Sequence, residues 1–305
     1  MLRYTVVAGL GLALATAWAQ EAPPVAPVVR EGNVERLVLD DGLDTDAAQW
    51  QTAEARVNIS TKQARRGSTS LQFHVDVDFS TGEPQYPIGW PRMHRPFPEA
   101  THDWSGWDYL DFSVYVESSR DKLPAVPMGV GVYGAGSRTD YNRSLTELQL
   151  GKWTDYRLPL ADIPGLKPRT GIQFHISEAN YRDGDELDFW IDNISLVRYV
   201  EPTLAPSRLV EQAIYADSRY VLVDLDLKGV KPNQETEVTW ELSRSGKAYA
   251  EGKLEAGRGR SWVALPLPTS GLPPGDYELA VRCRGDSPAP FGLRVASSPW
   301  QEGSQ

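Results

Sequence analysis

The sequence predicts an all-β protein made of two successive β-sandwiches. Period-2 alternation is the first sign: from Ser70 to Phe79, Leu71, Phe73, Val75, Val77 and Phe79 share one side while Gln72, His74, Asp76 and Asp78 share the other. No segment before residue 200 sustains a helical period, and short apolar runs are separated by turn residues. The third sign is a break at Glu201–Pro206, where Pro202 and Pro206 stop one strand series and a second series begins. A chain of 305 residues has room for two domains at roughly 100–200 residues each.

Residues 1–19 read as a secretory signal, with Arg3 at its start, an apolar run from Val6 to Ala17, and Ala17-Trp18-Ala19 as a small-x-small cleavage site. Residues 20–33, rich in Pro and Ala at their start, read as a linker. The first domain is expected over 34–200. Its strand candidates open with Val34–Asp40, followed by the polar turn Asp41–Asp46 and Trp50. After Ser70–Phe79 comes Gly82–Trp104, read as a long loop stiffened by Pro87, Pro91, Pro96 and Pro98. Tyr109–Val116 alternates again. Met128, Val130 and Val132 face inward with Gly129, Gly131 and Tyr133 opposite; Trp153–Leu160 and Gly171–Ser177 follow, the latter with Ile172, Phe174 and Ile176 inward. Glu186–Tyr199 is the closing strand. Leu187, Phe189 and Ile191 have one parity, Ile194 and Leu196 the other, and that slip requires a β-bulge near Asp192-Asn193. Residues 201–207 read as a linker. In 208–298, seven short strand candidates within roughly ninety residues fit a small immunoglobulin-like sandwich. Residues 299–305 read as a tail.

Composition narrows the function classes. The formal charge is −10; removing the predicted signal takes Arg3 and no acid, so 30 − 41 gives −11. Such a chain is a poor partner for nucleic acid or an anionic membrane. No other apolar run approaches a membrane span, and the expectation is a secreted or periplasmic protein without a transmembrane anchor. The single cysteine, Cys283, excludes an internal disulfide and reads as a small core residue. Signatures of zinc proteases, serine hydrolases and phosphate loops are absent, so no enzyme is expected.

Five phrases in order carry a resemblance. They are Leu37-Val-Leu-Asp-Asp-Gly42 with Trp50, Arg66-Gly-Ser-Thr-Ser-Leu71, Asp103-Trp-Ser-Gly-Trp-Asp-Tyr-Leu110, Gly151-Lys-Trp-Thr-Asp-Tyr-Arg-Leu158, and Trp190-Ile-Asp-Asn-Ile194. Together they make residues 37–196 similar to the galactose-binding-like β-jelly-roll family, found in many carbohydrate-binding modules of secreted bacterial glycan-degrading systems. The resemblance implies a jelly-roll sandwich. It also implies a structural calcium held by Asp40 or Asp41, Asp192 and carbonyls near Gly67-Ser68. The rival for these acids is hydrogen bonding to local backbone.

Sugars stack on aromatic faces and take hydrogen bonds from planar polar groups. The loop around Tyr86, Trp90, Arg92, His94 and Arg95, with the outward Tyr133 and His175, is therefore the expected glycan site. Gln173, Tyr109 and Tyr115 are further outward candidates, whereas Trp50, Trp107, Trp153 and Trp190 are assigned to the core. The expected function is non-catalytic carbohydrate binding, with the second domain a spacer or a contact for another envelope protein. Two alternatives stand beside it: a structural envelope module with no sugar affinity, and a jelly-roll polysaccharide lyase in which Arg92, His94 and a tyrosine neutralise a uronate and move its proton.

Overall fold

The computed structural model describes residues 28–40, 42, 47–80, 88–136, 139–163, 168–231, 233–284 and 290–300. The predicted signal, Asp41, Tyr86 and the tail 301–305 lie outside them. The described chain is all-β, and its strands fall into four sheets.

In chain order the first strands are β1 (Val28–Glu31), β2 (Val34–Asp40), β3 (Gln51–Ala53), β4 (Arg56–Ser60), β5 (Ser70–Asp76) and β6 (Arg92–Pro96). They continue with β7 (Tyr109–Ser118), β8 (Gly129–Tyr133), β9 (Thr139–Ser144), β10 (Thr154–Pro159), β11 (Gly171–His175) and β12 (Glu186–Tyr199). One sheet of seven strands and one of five, ordered β3-β6-β11-β8-β9, pack face to face. Leu71, Phe73, Phe112, Val114, Phe189 and Ile191 of the larger sheet meet Met93, Val130, Val132, Ile172 and Phe174 of the smaller one, all fully buried. Phe112 meets Phe174 edge-on at 5.3 Å between ring centres.

Strand β12 organises the larger sheet. Along one side it pairs with β7; along the other it pairs with β5 up to Ile191 and with β2 from Ile194. The exchange of partners falls on the bulge that the parity slip predicts, between Asp192 and Ser195, with Asn193 at φ 60°. Leu187, Phe189, Ile191, Ile194 and Leu196 are all fully buried as a result. Asp192 Oδ2 accepts the backbone N–H groups of Arg65 (2.7 Å) and Arg66 (2.9 Å), which tethers the β4–β5 connection to the bulge. Nearby, the end of β2 meets the start of β5 so closely that a Cβ on Gly42 (φ +68°) would lie 2.8 Å from the Ser70 Cα.

The remaining strands are β13 (Thr203–Leu204), β14 (Arg208–Leu209), β15 (Ala213–Tyr215), β16 (Tyr220–Lys228), β17 (Glu235–Arg244), β18 (Lys247–Gly257), β19 (Gly259–Pro266), β20 (Gly275–Cys283) and β21 (Phe291–Ala296). They form a four-stranded and a five-stranded sheet around a second apolar cluster that includes Val223, Trp240, Leu242, Leu279 and the fully buried Cys283. A half-buried ion pair crosses between the two sets of strands: Arg258 Nη2 donates to Asp108 Oδ1 at 2.7 Å, while Asp108 Oδ2 accepts Tyr199 N–H.

Some segments differ from the sequence expectation. Residues 82–104, read as loop, contain β6. Val28–Glu31 and Thr203–Leu204, in segments read as linkers, are short strands at or beside sheet edges, paired by backbone hydrogen bonds that need no apolar pattern. Trp190 is fully buried but has the opposite parity to Phe189; Lys62 and Tyr115 cover it from outside the sandwich. Removing the Asp192 carboxylate strands two backbone donors, at about 1–3 kcal/mol each. Asp192→Ala should therefore lower unfolding free energy by roughly 2–6 kcal/mol in a denaturant titration, and Asp192→Asn, which keeps one acceptor oxygen, should lose less.

Candidate functional site

The outward side of the five-stranded sheet collects most of the predicted glycan-site residues. Strand pairing sets Gln51, His94, Gln173, Gly131 and Asn142 in one row across all five strands. The next row is Ala53, Arg92, His175, Gly129 and Ser144. Tyr133 lies beyond Gly131, opposite Gly171.

These side chains form a connected layer. The Tyr133 hydroxyl donates to Gln173 Oε1 at 2.6 Å, and the Gln173 amide nitrogen lies 3.4 Å from His175 Nδ1. The His94 and Tyr133 rings are 4.4 Å apart, and the Trp90 and His175 rings meet edge-on at 5.2 Å. Glycines make room for the layer. A Cβ on Gly171 would sit 2.7 Å from His94 Nε2, and one on Gly129 would run into the His175 ring. A cavity of about 140 Å³ opens beside His175, between Gly129, Asn142, Ser144 and Asn180.

Trp90 is 52% exposed at one end of the layer. Its backbone is fixed by acids that the sequence did not single out. Glu54 accepts the Trp90 N–H at 2.5 Å, and the buried Glu178 accepts the Gly89 N–H at 2.9 Å. Arg92 is exposed and donates to the Trp90 carbonyl at 3.2 Å. Arg95, two residues from Met93, shares its inward parity: its guanidinium donates to Asp40 Oδ2 and, at 3.0 Å, to Gln49, so it does not join the layer. Tyr109 and Tyr115 belong to β7, in the other sheet.

Burial sets the protonation of the layer. It pushes His175 down to about 4 and also lowers His94, so both rings are neutral at pH 7. Burial pushes the Tyr133 hydroxyl up, against the opposing pull of the Arg92 cation. Glu178 is raised by burial, with Glu54 and Asp78 adding to it.

The described residues implied for calcium have donors around them. Asp40 Oδ1 accepts the Gly42 N–H and Oδ2 the Trp50 indole N–H, both at 3.0 Å, beside the Arg95 guanidinium. Asp192 holds two backbone N–H groups. A calcium ion takes about six to eight oxygens, whereas Asp40 and Oδ2 of Asp192 already face N–H donors. Among the described residues no cluster of three or more His, Cys, Asp or Glu is arranged for a metal ion.

No family model matches the chain, and no curated protein matches it. Several solved structures are weakly similar to it. The family 11 carbohydrate-binding module of the cellulase Lic26A-Cel5E of Clostridium thermocellum is 14% identical with a TM-score of 0.35, covering 53% of this chain and 93% of its own. The CBM22-1 xylan-binding domain of Paenibacillus barcinonensis Xyn10C is 14% identical at TM-score 0.33, covering 53% and 94%. A β-1,2-glucanase from Parabacteroides distasonis is 13% identical at TM-score 0.36, covering 82% of this chain and 37% of its own. At such low scores these likenesses carry no functional weight. Among the described residues, no helix is long and apolar enough to cross a membrane.

Two outcomes follow. Chelator should leave the melting temperature of the wild type unchanged, as Asp40 and Oδ2 of Asp192 already accept N–H groups. The second concerns acid. His175 is held neutral in the fold, so as pH falls below about 6.5 the unfolded chain takes up a proton that the folded chain refuses. The His175 contribution should decline between about pH 6.5 and 4 and flatten below, while Asp76 and Asp155, held low in the fold, add their own loss at lower pH. His175→Gln should remove that part of the decline in pH-dependent melting. Glu178, raised in the fold, contributes with the opposite sign and stays in both proteins.

Proposed function

We propose that the outward face of the five-stranded sheet binds glycans and that the protein is an exported, non-catalytic carbohydrate-binding protein. The observation that carries this is the exposed Trp90 beside a layer of planar polar groups, His94, Tyr133, Gln173 and His175, laid over a glycine-lined stretch of backbone. An exposed indole offers a stacking surface for a sugar ring, and the amide, imidazole and phenol groups offer donors and acceptors at fixed spacing. Tethers from Glu54 and Glu178 reduce the ordering cost of holding Trp90 in place. Export is read from residues 1–19. The division at 201–207 into two sandwiches is our proposal as well, with the second sandwich a spacer or interaction module; its outward sheet face exposes Trp262 at 67%, beside Arg208 and Arg260, which share Asp224.

A second reading is a uronate lyase. One observation favours it: the sheet brings Arg92, His94 and Tyr133 to one face, and His94 is neutral and so able to accept a proton. The raised Tyr133 suits it as an acid rather than a base. Incubation with uronate polysaccharides, followed by the absorbance of an unsaturated product, separates the two; product at a rate that His94→Gln abolishes would replace the binding reading.

Truncating an aromatic anchor at the centre of a binding site costs about 2 kcal/mol or more. Trp90→Ala should weaken glycan binding at least about thirtyfold by isothermal calorimetry, with little change in melting temperature. Early melting of Trp90→Ala together with a wild type that ignores a full glycan array would instead make Trp90 a structural lid.

A further inference from the structure

We propose that the ligand of this face carries a carboxylate and that Arg92 is the residue that recognises it. This rests on the glycan reading and narrows it to acidic sugars.

The inference comes from a charge inventory. Several basic residues surround the face, but all except one are neutral or already paired. His94 and His175 are buried neutral rings. Arg95 is turned to the inner side of β6, against Asp40. Arg143 engages Glu147 at 3.2 Å, and the buried Arg169 engages Asp140 at 3.1 Å. Arg92 is the exception. Its side chain donates to the Trp90 carbonyl, and no carboxylate of the described residues lies within ion-pair distance of it. Glu54 follows Ala53, its neighbour across the strand pair, and its Oε2 accepts the Trp90 N–H rather than the Arg92 guanidinium.

Among the described residues no acid pairs with this guanidinium, although the chain carries a net charge of −10. Arg92 lies on the same outward side as Tyr133, two strands away, and its charge opposes the burial-driven rise of the Tyr133 hydroxyl. An arginine fork matches a carboxylate in two parallel hydrogen bonds. Stacking on Trp90 with a carboxylate on Arg92 places a uronic acid across the row that holds Arg92 and His175. A neutral sugar could take a hydrogen bond from the guanidinium, but only a carboxylate adds the charge pairing.

The test uses matched probes: oligosaccharides of galacturonate, of mannuronate and of glucuronoxylan, each beside its carboxyl-reduced counterpart, titrated calorimetrically at two salt concentrations. At least one acidic probe should bind about tenfold tighter than its reduced partner, and the ratio should shrink as salt rises. Arg92→Gln should bring the ratio near one. Arg92→Lys, which keeps the charge without the fork, should keep part of it, and melting curves check that both variants fold. Equal binding of acidic and reduced probes by the wild type, or an undiminished ratio in Arg92→Gln, overturns the proposal and leaves the glycan reading intact. A wild type that binds neither form of any probe, nor any array glycan, removes both.

Discussion

The architecture depends on a strand that changes partners. Strand β12 is shared by three neighbours only because its bulge lets one edge leave β5 and join β2 without exposing the core-facing side chains. An extra residue in an extended chain leaves backbone groups unpaired, and here a buried acid works as a local substitute for a missing strand neighbour, gathering the Arg65 and Arg66 N–H groups. The larger sheet can then be wide at both ends while its inner face stays apolar. That inner face is the floor on which the smaller sheet lies.

The smaller sheet divides labour by parity. On β6 the inward residues, Met93 and Arg95, anchor the strand in the core and against Asp40; the outward residues, Arg92 and His94, are thereby held on the open side. On β8 and β11 the same alternation buries Val130, Val132, Ile172 and Phe174 and leaves Gly129, Gly131, Gly171, Gln173 and His175 outside. Glycine at three of these positions replaces side-chain bulk with backbone, and neighbouring rings fold over it. The layer is mostly uncharged because its histidines are too buried to hold a proton at neutral pH.

Much of this was legible in the chain, for a physical reason: where one face of a strand is buried, the alternation is written in apolar residues. That holds for β5, β7, β8, β11 and both halves of β12, and the parity slip even located the bulge. Strand β6 was hidden because Arg-Met-His-Arg-Pro has one apolar residue and prolines around it; its place in the sheet comes from pairing with β11 and β3, not from its own pattern. Arg95 looked like a ligand-facing cation because its partner, Asp40, lies 55 residues earlier in the chain. The roles of Glu54 and Glu178 left no sequence signal, since each accepts a backbone N–H group that any residue supplies.

The thiol of Cys283 is fully enclosed by the second apolar cluster, and it is the only one in the chain. Both sandwiches are therefore held without a disulfide, with no covalent bridge that a reductant could open and no accessible thiol that an oxidant could couple to a second copy. The native state is indifferent to redox poise, and it reaches its fold without waiting on any disulfide exchange.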